Sequence, residues 1–146
     1  MIIFDVDHFK LINDRHGHLI GDYVLSEIAK LAQAACRSSD TVCRYGGEEF
    51  IVIAEDCDSS KALKLAERVR AAIAHNQFVI EGERTIHATA SFGVSTIEVT
   101  TAQDLATLIK QADQALYAAK ETGRNVVRVS SYTSALAADL IPEHVV

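Results

Sequence analysis

Asp5 and Asp7 close the apolar run Met1-Ile2-Ile3-Phe4, and Glu48 and Glu49 follow Gly46-Gly47 in the stretch RYGGEEF at 44–50. Adjacent like charges directly after a flexible dipeptide suit either a solvated turn or a site that holds a cation and a phosphate. Residues two apart on a strand share a face, whereas neighbours face opposite ways. With the first strand beside a hairpin at 44–50, Asp5 and Glu48 converge at the turn. Two carboxylates, a backbone carbonyl and phosphate oxygens make a hard-oxygen set suited to Mg²⁺ or Mn²⁺. Without a cation such a pair is repulsive. A Glu-Glu after Gly-Gly, taken alone, reads as an acidic surface turn.

The elements that must position these groups follow from periodicity. MIIF is β-prone and forms the opening strand. Residues 7–22 mix apolar anchors with Asn, Asp, His and Gly, which suits a short helix and a turn. From Asp22 the apolar residues Val24, Leu25, Ile28, Leu31, Ala32 and Ala35 recur at helical spacing up to about Cys36. TVCRY and FIVIAE flank Gly46-Gly47 as a hairpin, with glycine supplying the turn dihedrals. A second amphipathic helix spans 59–76, capped by Ser59 or Ser60. Strands are expected at 78–81 and 84–97, a third helix at 102–123 stopped by Gly123, and a last strand at 125–129. The tail 130–146 has no clear period and is expected to be partly ordered at best. Helices alternating with strands and hairpins imply an α/β (α+β) fold: a ferredoxin-like, mainly antiparallel central sheet flanked by helices.

Composition bounds the function. The chain has 146 residues, enough for one domain with a sizeable core, and it is 49% hydrophobic and 23% charged. Its net charge of −6 argues against a nucleic-acid groove, which needs a basic footprint. A phosphorylated ligand stays compatible, because a divalent cation reverses the local field. Cys36, Cys43 and Cys57 are odd in number and lack a CxxC pair, so reduced thiols in a cytoplasmic setting are expected. No apolar run approaches a membrane span, so no membrane contact by this domain is expected. The histidines show no ligand-cluster spacing; His18 is expected to order its loop.

Five motifs occur in order: DVDHFKLIND from Asp5, GHLIGD from Gly17, RSSD at 37–40 five residues before GGEEF, SFGVS at 91–95, and ALYAAKETGRN at 115–125. Together they resemble the GGDEF family, the diguanylate cyclases, from about Met1 to Val129. The resemblance implies a nucleotide-cyclase palm that condenses two GTP into cyclic di-GMP and releases two pyrophosphates, working as a homodimer with one GTP per domain. It implies Asp5, Glu48 and the Val6 carbonyl as Mg²⁺ (or Mn²⁺) ligands, Glu49 as a further ligand, and Glu48 as the group that draws the proton from the attacking 3′-hydroxyl. Gly46 and Gly47 let the backbone pass close to the nucleotide. Asn13 and Asp22 match guanine-reading positions; Asp22 equally suits a helix N-cap. Lys120 and Arg124 match triphosphate-binding positions, and backbone amides around Phe9 and Lys10 meet the phosphates. Arg37 and Asp40, with Arg68, match an inhibitory product site; Arg37 and Asp40 also suit a plain i, i+3 ion pair. The family places a DxLTxLxNRR segment and its helix before the first strand. The expectation is therefore a GGDEF domain at 1–129 lacking that helix. The alternative is a catalytically silent module that binds GTP or cyclic di-GMP.

Overall fold

Strand β1 (Ile2–Val6) is buried at every position, because both faces of the sheet it centres are covered. The computed structural model describes residues 1–81 and 84–130, so the tail expected from 130 lies, beyond Ser130, outside the described residues. After β1 come α1 (Phe9–His16), α2 (His18–Ala35), the hairpin β2 (Thr41–Arg44) and β3 (Glu49–Ile53), and α3 (Ser59–His75). Then follow β4 (Phe78–Ile80), β5 (Arg84–Ile86), β6 (Ala90–Val94), α4 (Ala102–Glu121) and β7 (Val127–Val129). The central sheet has the order β2-β3-β1-β6-β7, and β4 and β5 form a separate pair. All pairings are antiparallel except β6 with β7. The expected α/β architecture with a mainly antiparallel sheet is thus the observed one.

Alternation along β1 assigns the two layers. Ile2, Phe4 and Val6 join the core built with α1, α2 and α3, whereas Ile3 packs with Ile51, Ala112 and Leu116 under α4. Phe4 is register partner to both Phe50 and Phe92, and its ring stacks on theirs with centroids 5.0 and 4.7 Å apart. This three-ring row locks the register of the strands that carry the site, since a one-residue slip would turn every ring to the other face.

The remaining side of the sheet depends on Gly93. A Cβ there would collide with the backbone of α4 at Ala112 and Leu116. Its absence lets α4 lie directly on β6. Helix α4 starts with a capping box between Thr101 and Asp104. It ends as expected at Gly123 (φ 112°), where the Arg124 N–H returns to the Ala119 carbonyl at 3.1 Å.

Four expectations need correction. Helix α2 begins at His18, because Gly17 (φ 84°) is the break between the two helices; Asp22 is therefore more than a turn inside α2 and caps nothing. Helix α3 is capped by Asp58, whose carboxylate accepts from the Lys61 N–H at 2.8 Å, and not by Ser59 or Ser60. The strand expected over 84–97 breaks at His87–Thr89, so β5 pairs with β4 while β6 turns into the central sheet. Neither Gly46 nor Gly47 uses the left-handed region. The hairpin is closed by the Tyr45 and Gly46 N–H groups on the Glu49 carbonyl (2.8 and 3.2 Å). The Arg44 guanidinium clamps the Gly46 and Gly47 carbonyls.

Candidate active site

The end of β1 is stitched to the hairpin tip. Asp5 is register partner to Glu49, and the Val6 N–H donates to the Glu48 carbonyl at 3.2 Å. This pairing brings Glu48 within reach of the Asp5 charge. Burial pushes both carboxyls above the ordinary range, and each is raised further by a neighbouring carboxylate: Asp7 acts on Asp5, and Asp5 on Glu48. The Lys120 ammonium works against this from α4, with Nζ 3.0 Å from Asp5 Oδ2. The Arg124 charge also pulls the Asp5 carboxyl down.

Whether this group suits a divalent cation is a question of donor chemistry. Among the described residues, no three His, Cys, Asp or Glu side chains cluster as a self-sufficient metal site. Asp5 and Glu48 supply two hard, mutually repelling oxygens that a cation would relieve, leaving further positions for a carbonyl and for ligand oxygens. That is the arrangement Mg²⁺ favours, since it is commonly held by one or two carboxylates plus phosphates. The donor set fits the ion. Glu49 leans over the turn, and a Cβ on Gly46 would come within 2.8 Å of its Oε2; a Cβ on Gly47 would meet nothing within 4 Å. The glycine pair thus contributes space at the hairpin tip.

Beside the carboxylates, α1 presents its N-terminus. His8 stands at φ 55°, its side chain makes no cap hydrogen bond, and the first turn carries no acid. The amides at Phe9 and Lys10 therefore belong to a helix end suited to anions. Phe9 is buried and Lys10 exposed. One turn on, Asn13 packs against α2: a Cβ on Gly21 would overlap Asn13 Oδ1 and approach Phe9 Cζ to 3.1 Å. Asn13 Oδ1 is buried and has no hydrogen-bond partner among the described residues. Asp22 is exposed and lines a cleft of about 270 Å³ with Arg44 and Phe50. Arg124 (φ 62°) is exposed on the turn after α4.

Residues 1–126 match the family model described as "Diguanylate cyclase, GGDEF domain". The chain belongs to the GGDEF family. It is 40% identical over 130 residues to diguanylate cyclase A of Treponema denticola, covering 89% of this chain and 34% of that protein. Response regulator PleD of Caulobacter vibrioides is 43% identical over 130 residues, covering 86% and 28%. The chain thus spans about a third of the length of these curated relatives. Among solved structures, the active GGEEF domain of a diguanylate cyclase from Vibrio cholerae superposes with a TM-score of 0.81 at 39% identity, covering 90% of this chain and 82% of that one. The GGDEF domain of DgcB from Caulobacter crescentus, in complex with c-di-GMP, gives 0.82 at 28% identity, covering 90% and 77%.

This GGDEF domain also has a cleft of about 150 Å³ on the α3 side. Arg37, Asp40 and Arg68 line it together, joined by Lys61 and Lys64. Arg37 and Asp40 are not joined through their side chains. The buried Asp40 carboxylate accepts from the Arg37 backbone N–H at 2.8 Å, which leaves the guanidinium free of that carboxylate. Arg68 donates to the Ala35 carbonyl and so ties α3 to the end of α2. Sequence reasoning missed the Arg44 clamp, the Arg70 bond to Asn125 and the close approaches at Gly21 and Gly93. Only the motif positions of the two glycines signalled anything there. No described helix is long and apolar enough to cross a membrane.

Proposed function

We propose that this domain is a diguanylate cyclase half-site: it holds one GTP, and two such domains condense two GTP into cyclic di-GMP. In each of two equivalent steps a ribose 3′-oxygen bonds to the α-phosphorus of the other nucleotide, the bond to pyrophosphate breaks, and the 3′-hydroxyl gives up its proton. The observation that carries the reading is the Asp5–Glu48 pair. Two carboxylates, each raised by burial and by a neighbouring carboxylate, stand at the mouth of an uncapped helix, flanked by Lys120 and Arg124.

Asp5, Glu48 and the Val6 carbonyl would hold Mg²⁺ or Mn²⁺, with Glu49 as the further candidate. The ion, when bound, neutralises phosphate charge and makes a bound hydroxyl more acidic. Glu48 takes the 3′-hydroxyl proton on its carboxylate; burial and the Asp5 charge raise its proton affinity, which suits it to that task. The Phe9 and Lys10 amides, Lys120 and Arg124 bind the phosphate oxygens. Asn13 and Asp22 read the guanine edge, where a carboxylate accepts from N1–H and N2–H. Gly47 keeps the hairpin tip open to the nucleotide. Arg37, Asp40 and Arg68 form the product site, with arginine gripping phosphate or guanine through paired N–H groups.

Incubation with GTP and Mg²⁺, followed by chromatography, tests this directly. Cyclic di-GMP and pyrophosphate are expected in a 1:2 ratio, fixed by the balance of the reaction, and at a rate that rises steeply with protein concentration because two domains must meet. Retention of GTP with no product at any concentration would assign the domain instead as a nucleotide-binding module.

A further inference from the structure

We infer that Asp7 is a positioning residue for the phosphate-binding turn: its buried carboxylate latches the backbone after α4 and, with Arg70, fixes where Arg124 stands. This rests on the function proposed above and deepens it.

Asp7 follows the proposed metal ligands in sequence but is committed elsewhere. Its carboxylate accepts from Thr89 Oγ1 at 2.6 Å, from Ser91 Oγ at 2.6 Å and from the Asn125 backbone N–H at 3.0 Å. Its own N–H donates to the Thr89 carbonyl at 2.8 Å, and the residue is only 6% exposed. The last of the three carboxylate bonds joins residues 118 apart in sequence.

The turn it grips is strained. Gly123, Arg124 and Asn125 have φ of 112°, 62° and 46°, three consecutive residues in the left-handed region. Non-glycine residues persist there only where the surroundings over-determine them. Four bonds do so here. Arg124 N–H binds Ala119 O, Asn125 N–H binds Asp7, Val126 O accepts from Phe92 N–H at 3.0 Å, and Arg70 donates to Asn125 Oδ1 at 2.9 Å. Arg70 is itself oriented by Glu67 at 2.7 Å. Two of these anchors, Asp7 and Arg70, come from side chains outside the turn, one from the end of β1 and one from α3. They hold a backbone whose one exposed cation is Arg124, beside Asp5. Loss of the latch should therefore weaken contacts to the outer phosphates and leave base recognition by α1 and α2 alone.

Affinities for an α,β-methylene GTP analogue and for GMP, each measured calorimetrically with Mg²⁺, separate these roles. In Asp7→Ala, binding of the GTP analogue should fall about tenfold and GMP binding less than about twofold, as a misplaced binding group predicts. Asp7→Asn should rescue it: the amide oxygen can accept from Thr89 and Asn125, and its NH₂ can donate to Ser91 Oγ. A folded Asp7→Ala that loses both nucleotides equally, or neither, overturns the latch. So does an Asp7→Asn variant as weak as Asp7→Ala, since the charge would then be the working part. Should Asp7→Ala not fold, Arg70→Met carries the test. A selective loss of about threefold for the GTP analogue is expected from a loosened binding group, and no selective loss overturns the proposal. A parent protein that binds neither nucleotide overturns the proposed function itself, and the latch with it, before any variant is compared.

Discussion

Lys120 Nζ lies 3.0 Å from Asp5 Oδ2, so the ammonium expected to bind phosphate is also the counter-charge of the carboxylate expected to bind metal. The pair joins α4 to β1 and is only partly open to water, with side chains 32% and 11% exposed. Removing one partner of such a pair strands the other. Lys120→Met should lower the stability of the metal-free domain by about 1–3 kcal/mol, less than for a fully buried pair. GTP affinity should fall as well. Urea unfolding in EDTA measures the first effect; an unchanged midpoint would show that the pair contributes nothing.

The pH dependence follows from the direction of the shifts. Asp5 and Glu48 are raised in the fold by burial, so the folded state favours their protonated forms. The stability they permit is complete below the ordinary carboxylate range and declines as pH rises through their raised values. Asp58 and Asp104 act oppositely. They are held low by backbone and hydroxyl donors at the helix caps, and their contribution is present above the ordinary range and lost on acidification. Mg²⁺ should therefore raise the melting temperature more at neutral pH than near pH 5, about one unit above the ordinary carboxylate value. Melts with and without Mg²⁺ across that interval check this, and an equal shift at both ends would count against cation binding at Asp5 and Glu48.

Glu48→Gln preserves size while removing a charge. Turnover should drop about 10²–10⁴-fold, the range for a lost proton-transfer group. The metal-free domain should melt no lower than the parent, because the repulsion between Glu48 and Asp5 disappears. Product formation at the parent rate would remove Glu48 from the mechanism.

What was legible in the sequence was local or repeated. The helices and the hairpin announced themselves through periodicity, and β1 through its apolar run. The convergence of Asp5 with Glu48 followed once β1 and the hairpin were placed side by side. Boundaries set by a single residue were less visible. The break at Gly17 moved the start of α2, and Asp58 took the cap from two adjacent serines. The division of 84–97 depends on two different pairing partners, which no strand propensity encodes. Least visible were contacts between distant residues: Gly93 under Ala112 and Leu116, Gly21 against Asn13, and Asp7 on Asn125. A glycine or an aspartate in a motif does not show what it touches.

Gly21 makes one of these contacts testable. Alanine favours helix over glycine, so Gly21→Ala gains in helix propensity. Its methyl group, however, takes the space of Asn13 Oδ1 and crowds Phe9. The helix pair should persist with the Asn13 amide displaced. Discrimination of GTP over ATP should then fall by at least about tenfold, because a site built on hydrogen bonds loses selectivity when a partner moves. Competition binding with the two nucleotides, alongside circular dichroism, measures this; undiminished preference would exclude Asn13 from base reading.

Arg37→Ala tests the second cleft cleanly because the loop does not depend on that side chain. Asp40 holds the Arg37 backbone N–H, which alanine retains, so the turn should stay closed. Arg37 lines the same cleft as Lys61, Lys64 and Arg68, so its cations outnumber the carboxylates of Asp40 and Glu55 there, in a chain of net charge −6. Such a cleft suits the two phosphates of cyclic di-GMP. Losing a charged, hydrogen-bonded contact should cost about 2–5 kcal/mol of product affinity. GTP binding at Asn13 and Asp22 should survive, since those residues sit on α1 and α2 and do not line this cleft. For feedback, product must also favour an arrangement in which two GTP cannot meet, because binding alone shifts no equilibrium. The Arg37→Ala enzyme should then stay active at product concentrations that silence the parent. Calorimetry with cyclic di-GMP and turnover in its presence, on both proteins, decide the matter. Product binding unaltered by the substitution would leave the cleft without a regulatory role.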